Sequence, residues 1–415
     1  MFSLIPRLLV IVFLFILPAS GNTQHGGVKK DLLLQQIDSL MQHQIDDGNL
    51  PGGVVYITDR SGVIINKAYG YAHLNDFYNT PLPNPVAMRP AHVFDLASLT
   101  KVIGTTTSIM ILHERGKLHV NDRVGKYVPA FASGEKSNIT IRHLLQHSSG
   151  LYEWYPMYYK AGSRQEVYDL IGKLPLKYPV GKERHYSDLG FTILAEIIEK
   201  VSGLPPDRFQ QQNIFHPLGM TKTGYNPLQH LAKDEIAATS HGNPYEYRMV
   251  HDTSLGMMAS GIDPDSWNGW RQYTLAGEVN DGNAWYAGQG ISGAAGLFAP
   301  AEDLQKLTTM LLNKGRVNGK RFLRKKTIRK FLRKDEYKNG LGWMMDQETG
   351  FMKNAPRGSF GHTGFTGTSI VAIPKKHAAV ILLINRQNTG LRNGAYFNVN
   401  NLRVEILKST LKYLE

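Results

Sequence analysis

The 415-residue sequence predicts an α/β (α+β) fold, with one antiparallel sheet built from the N- and C-terminal segments, flanked by helices, and a mostly helical insertion between them. Three observations carry this expectation. A pair of apolar, β-branched runs lies near each end of the chain. Each pair is joined by a short polar turn. The long stretch between the pairs has apolar residues at helical rather than strand period.

Taken in order, Leu32, Leu33, Ile37, Leu40, Met41 and Ile45 recur at helical spacing, which predicts a helix over 30–47 stopped near Gly48. Residues 22–29 lack that pattern and read as a loose segment. Gly53-Val-Val-Tyr-Ile57 and Val63-Ile-Ile-Asn-Lys67 flank Asp59-Arg-Ser-Gly62, a turn suited to a β-hairpin. Helices are expected over 98–115, 140–146, 165–174, 188–202 and 301–313, with Gly116 and Gly203 placed as C-terminal stops. Thr368-Ser-Ile-Val-Ala-Ile373 and Ala378-Ala-Val-Ile-Leu-Leu-Ile384 then flank Pro374-Lys-Lys-His377 and supply the second hairpin. Residues 30–415 thus read as one compact unit, in which 30–95 and 285–415 form the α/β part and 96–284 the helical part. The cleft where the two parts meet is the expected place for chemistry.

Composition bounds the setting. The chain is 42% hydrophobic and 20% charged, an ordinary globular balance. Arg7, the apolar run Leu8 to Leu17 and the small residues Ala19, Ser20 and Gly21 resemble a secretory signal peptide over 1–21, with an uncleaved anchor as the alternative. There is no cysteine, which excludes disulfides and thiol catalysis. A periplasmic or secreted location follows.

The net charge of +13 is concentrated. Residues 314–338 hold twelve Lys or Arg against Asp335 and Glu336, a local +10 that leaves +3 for the remainder. Ile328, Phe331 and Leu332 fall at helical spacing there, so the segment reads as an amphipathic helix with a basic face, either simply solvated or facing an anionic envelope surface. No nucleic-acid motif is present, and no nucleic-acid partner is expected. None of the fifteen histidines forms a His-Glu-x-x-His pattern, and His113-Glu114 meets Lys117 where a second ligand is needed, so neither a metal nor an organic cofactor is expected.

Ser98-Leu-Thr-Lys101 sets a hydroxyl and an amine three residues apart on one helix face. Serine needs a base within about 3 Å to attack a carbonyl, and a lysine whose pKa falls among apolar or cationic neighbours can serve. Tyr186-Ser-Asp188 precedes the helix over 188–202, where a phenol faces a cleft and can relay protons if cations lower its pKa. Gly361-His-Thr-Gly-Phe-Thr-Gly367 brings three glycines, for close backbone approach, and His362 as a titratable group.

These three motifs, in this order, resemble the serine β-lactamase and penicillin-binding protein superfamily. The resemblance spans roughly residues 30–390. Gly116–Pro129, Leu144-Leu-Gln-His-Ser-Ser-Gly-Leu151 and Ile214-Phe-His-Pro-Leu-Gly-Met220 are similar to connecting segments of its class C branch, and Asp188, Gly361–Gly364 and Gly277–Ala284 to the penicillin-binding protein 4B group. The resemblance implies a β-lactamase/transpeptidase-like fold in which Ser98 is acylated, Lys101, Tyr186 and His362 are catalytic, and the oxyanion lies between the N–H groups of Ser98 and Phe365. It also implies that Thr363 and Gly364 contact substrate, with Asp188, Asp281 and Asn283 as further substrate-binding candidates. The expected substrates are D-alanyl peptides of peptidoglycan or small esters, and the alternatives are a β-lactamase or a weakly catalytic wall-binding sensor. His362, where many relatives hold a lysine, supplies a charge that varies with pH and tilts activity away from penicillins. Three departures bear on specificity. Val180-Gly181 replaces Pro-Gly, while Asn280 and Ala294 stand where similar chains carry histidine.

Overall fold

The computed structural model describes residues 21–255 and 261–415, so all of the expected leader except Gly21 lies outside the described residues. Six strands form one antiparallel sheet: β1 (Gly52–Asp59), β2 (Gly62–Asn75), β3 (Pro81–Ala87), β4 (Phe360–Thr363), β5 (Ser369–Ile373) and β6 (Ala378–Ile384), in the spatial order β3-β2-β1-β6-β5-β4. The seam between the ends of the chain is β1 against β6, where Val54 faces Leu383 and Tyr56 faces Ile381. Both predicted hairpins and the sheet built from the two termini are therefore present. β3, with Pro81, Pro83 and Pro85, was not expected; its missing N–H groups are tolerable because it is an edge strand.

Alternation along the strands divides the side chains between two cores. Val55, Ile57, Val371, Val380 and Leu382 enter a cluster with Leu33, Ile37 and Met41 of helix α1 (Gly21–Asp46) and with Leu402 and Ile406 of the C-terminal helix, Asn400–Tyr413. Val54, Tyr56, Ile370, Ile381 and Leu383 enter the larger core shared with the helical insertion. With both faces covered, these strands read as continuous apolar runs. Each fully buried aliphatic side chain contributes roughly 1.5–3 kcal/mol.

Helix α1 starts at Gly21, which corrects the expectation of a loose segment over 22–29. No proline interrupts that stretch, and each added residue gains one helical hydrogen bond. Helices α2 (Thr107–Glu114), α3 (Ile141–Leu145), α4 (Arg164–Lys173), α5 (Asp188–Ser202), α6 (Pro244–His251) and α7 (Ala301–Leu312) follow. Ser187 caps α5 by accepting from Gly190 N, while Gly203 ends it in the left-handed region at φ 72°.

The basic segment is less helical than predicted. A hairpin, Arg316–Val317 with Lys320–Arg321, turns through Asn318 and Gly319 at φ 47° and 77°, and helix α8 covers only Lys325–Phe331. Thr327, Ile328 and Phe331 are its buried side. Among the described residues, no helix is long and apolar enough to cross a membrane.

Candidate active site

The nucleophile's position is set by a buried carboxylate. Asp95 accepts the Ala97 N–H at 2.8 Å and the Asn280 N–H at 2.7 Å. This turn holds Ala97 at φ 44°, a left-handed conformation that costs a non-glycine residue on the order of 1–3 kcal/mol, and it delivers Ser98 to the cleft. Burial pushes the Asp95 carboxyl up to about 6. From Lys101 to Thr106 the backbone is a π-helical segment before α2 begins, a local widening often found at functional sites. The turn after β4 is tied to the same place, with Thr366 Oγ1 donating to Asp95 O at 2.7 Å and Thr368 Oγ1 to Leu96 O at 3.1 Å. Gly364 sits where any Cβ would collide with Thr368 and with the Leu96 carbonyl. It is a close-approach residue, and the substrate contact expected of it is reduced to its backbone.

Lys101 is 0% exposed, and three groups surround its ammonium: Ser98 Oγ at 2.9 Å, Ala294 O at 3.0 Å and Asp188 Oδ1 at 2.7 Å. The rings of Tyr186 and Phe191 lie 5.0 and 5.9 Å from Nζ. Burial pulls the Lys101 pKa down, but the charge of Asp188 and the bonds to Asp188 and Tyr186 outweigh it and leave the pKa raised. The apolar or cationic setting that would free the amine is not what surrounds it; the Asp188 carboxylate favours the ammonium. Tyr186 is likewise raised: burial outweighs the nearby Lys101, and its hydroxyl is hydrogen-bonded to Ser98 and Lys101 as a phenol. Asp188, expected to touch substrate, both lines the cleft and pairs with Lys101.

His362 is 1% exposed; its Nδ1 lies 2.8 Å from Thr363 O, and its Nε2 has no partner. Burial, then the Lys101 charge, lower its pKa to about 3. The pH-variable charge expected there is absent, and the ring is a neutral wall 6.0 Å from that of Tyr186. Half-buried Thr363 follows at the end of β4, and Phe365, 39% exposed, lines the cleft with Ser98. Asp281 also lines the cleft and accepts from Ala284 N at 2.7 Å; burial and the neighbouring Asp188 push its carboxyl up to about 6.

Asn283 lines a small cavity that adjoins the cleft and shares Asp188 and Asp281 with it. Its amide accepts from Met157 N at 2.7 Å and donates to Tyr155 O at 2.9 Å, which pins the loop before α4. Asn280 serves the scaffold through its N–H to Asp95, and Ala294 through its carbonyl to Lys101, a contact that any side chain at 294 allows.

Sequence reasoning missed two supports. His147, 4% exposed at φ 59°, stacks on Tyr186 at 4.3 Å and 28°, and its Nδ1 accepts from Ser187 N at 2.9 Å. Burial, then the Arg184 and Lys101 charges, hold it neutral. The segment Leu144–Leu151 was the signal available for it. Asp95, two residues before a strained turn, had only the turn-forming tendency of aspartate to mark it. The cleft in front of Ser98 encloses about 350 Å³.

The serine, ammonium and phenol at the mouth of a cleft beside a sheet edge define an acyl-transfer site. The Beta-lactamase family model matches residues 37–401, and the chain belongs to that family of serine hydrolases. Proteins from Salmonella heidelberg (strain SL476) and Salmonella typhi named "Putative D-alanyl-D-alanine carboxypeptidase" are each 32% identical over 381 residues, covering 87% of this chain and 84% of theirs. Among solved structures, EstCE1, described as a hydrolase with promiscuous acyltransferase activity, superposes with a TM-score of 0.66 at 20% identity over 91% of this chain and 98% of its own. A class C β-lactamase gives 0.66 at 16% identity over 94% and 98%. These two likenesses carry the fold alone.

Proposed function

We propose that the protein hydrolyses D-alanyl peptides, or small esters of similar shape, through a Ser98 acyl-enzyme. The observation that carries this is the triple contact of Lys101 Nζ with Ser98, Asp188 and Ala294. As Ser98 Oγ bonds to the substrate carbonyl carbon, its proton passes to Lys101, which hands one of its own to Asp188 and stays an ammonium. The proton returns through Lys101 and Tyr186 to the leaving nitrogen or oxygen as the scissile bond breaks. Water then attacks the ester, loses its proton along the same chain, and Ser98 is restored. The N–H groups of Ser98 and Phe365 serve as oxyanion donors, each worth on the order of 3 kcal/mol. The relatives' name supports a peptide substrate of peptidoglycan type; the neutral His362 favours substrates without a terminal carboxylate, which keeps esters in view.

We assign the protein to the cell envelope, supported by its leader-like first 21 residues. The groove lined by Arg142, Lys326, Arg329, Lys330, Arg333 and Lys334, six cations against Asp335 and Glu336, suits an anionic envelope polymer, and its concave shape fits a strand better than a flat membrane. Intact-mass measurement after incubation with a fluorescent penicillin, a D-alanyl-D-alanine peptide and an activated ester tests the enzyme assignment. An adduct on the native chain, absent in Ser98→Ala and cleared by hydrolysis, is expected. No adduct and no turnover with any of the three would sink it, and an adduct that never clears marks a sensor.

A further inference from the structure

The cleft walls carry one sign of charge. Glu153, Asp188, Glu246 and Asp281 line it, and no Lys, Arg or His is among the lining residues. Two of these acids are already answered. Asp188 pairs with Lys101, and Glu153 binds Lys177 at 2.9 Å and the Tyr178 hydroxyl at 2.6 Å. Among the described residues, neither Glu246 nor Asp281 forms an ion pair. Arg271, the cation whose field reaches both, donates Nε to Asn243 Oδ1 and Nη2 to the Val279 and Asn280 carbonyls, while its Nη1 lies 3.7 Å from Glu278 rather than on either acid.

Glu246 is the unexplained member. It is 9% exposed on α6, and its Oε2 accepts from Gly282 N at 2.9 Å and Asn243 Nδ2 at 3.2 Å. Among the described residues, its Oε1 has no hydrogen-bond partner. A buried carboxyl oxygen with an open position is costly unless a ligand completes it. Burial and the neighbouring Asp281 raise the Glu246 pKa well above the usual carboxylate range, a penalty that an incoming cation offsets. Trp154, Tyr245 and Phe365 add ring faces to the same cleft, and aromatic faces beside carboxylates attract ammonium groups.

We propose that Glu246 and Asp281 form a subsite for an ammonium group, so that the preferred substrates are D-alanyl-type acyl donors carrying a free amine. The proposal rests on the hydrolase assignment above, and an α-amine or a side-chain amine supplies the same chemistry. It also accounts for a cleft that presents no cation to a substrate carboxylate.

The test is calorimetric binding to the full Ser98→Ala chain, which needs no turnover. D-alaninamide, an ammonium at neutral pH, is compared with N-acetyl-D-alaninamide, which is uncharged. The amine is expected to bind about ten-fold tighter or better. Glu246→Gln or Asp281→Asn, each added to Ser98→Ala and each retaining a backbone-accepting oxygen, is expected to bring the ratio to about two or less, with melting temperatures confirming the fold. Equal binding of the two amides to Ser98→Ala, or a preference that survives both substitutions, overturns the subsite. Failure of the hydrolase assignment appears separately, as the absence of any Ser98 adduct or turnover in the native chain.

Discussion

Lys101 Nζ lies 2.7 Å from Asp188 Oδ1 and 2.9 Å from Ser98 Oγ, so the amine that is to activate the serine is already engaged by a carboxylate. In the proposed mechanism the third residue of the tyrosine triplet is thereby part of the proton path.

Asp188→Asn removes the anion while Lys101 stays buried, so the Lys101 pKa falls. With the carboxylate gone, the buried Lys101 amine is the only proton acceptor left, so acylation should slow by about 10²-fold at neutral pH, and the ascending limb of the rate profile should follow Lys101 deprotonation and move to higher pH. Single-turnover acylation by an activated ester between pH 5 and 10 measures both effects. An unchanged rate and profile would remove Asp188 from the mechanism.

Gly364→Ala places a Cβ against Thr368 and the Leu96 carbonyl, the backbone that leads into Ser98. Overpacking of this kind costs about 1–3 kcal/mol. A lower melting temperature is expected, together with a loss of acylation larger than the destabilisation explains. A variant with native acylation would show that the turn after β4 does not control the nucleophile.

His362 gives a pH signature in stability. The unfolded imidazole takes a proton near its ordinary 6.5, whereas the folded one refuses it down to about 3. The unfolded state therefore binds more protons in that window, and the stability contributed by the neutral ring is lost as pH falls below 6.5. His362→Asn lacks this dependence, so the stability gap between native and variant should shrink by about 2 kcal/mol between pH 7 and 4.5. Denaturant unfolding at both pH values checks this, and a constant gap would mean that His362 protonates in the folded protein. Asp95 and Asp281, pushed up to about 6, act in the opposite direction between 3.8 and that value, which is why the difference between the two chains is the quantity to read.

Arg329→Glu with Arg333→Glu reverses two charges in the basic groove on and just after α8. Retention on a polyphosphate matrix should fall sharply, with a flatter salt dependence, while hydrolysis of a small ester is unchanged. Equal retention of native and variant chains would leave those side chains as a solvated face.

The sheet, its termini and the positions of Ser98, Lys101 and Tyr186 were legible because short-range patterns specify them: strand period, helix spacing and motif order. What was not legible depends on three-dimensional neighbours. The sign of the Lys101 shift turns on where the start of α5 docks, and the muteness of His362 on how completely β4 is covered. Asn283 borders the cavity beside Asp188 and Asp281, and only the fold shows that its amide also ties down residues 155–157. Tyr245-Glu-Tyr247 belongs to no motif, and only the fold brings Glu246 to the cleft beside Asp281.

The pairing of β1 with β6 also sets when the cleft can be complete during synthesis. The turn after β4 and the strands beside it come from the last sixth of the chain, and the sheet closes only when Val54 meets Leu383 across nearly the whole sequence. Loop closure over that span is entropically slow. A ribosome-bound chain holds Ser98 without the strand that completes the cleft, so the assembled cleft waits until synthesis is nearly finished.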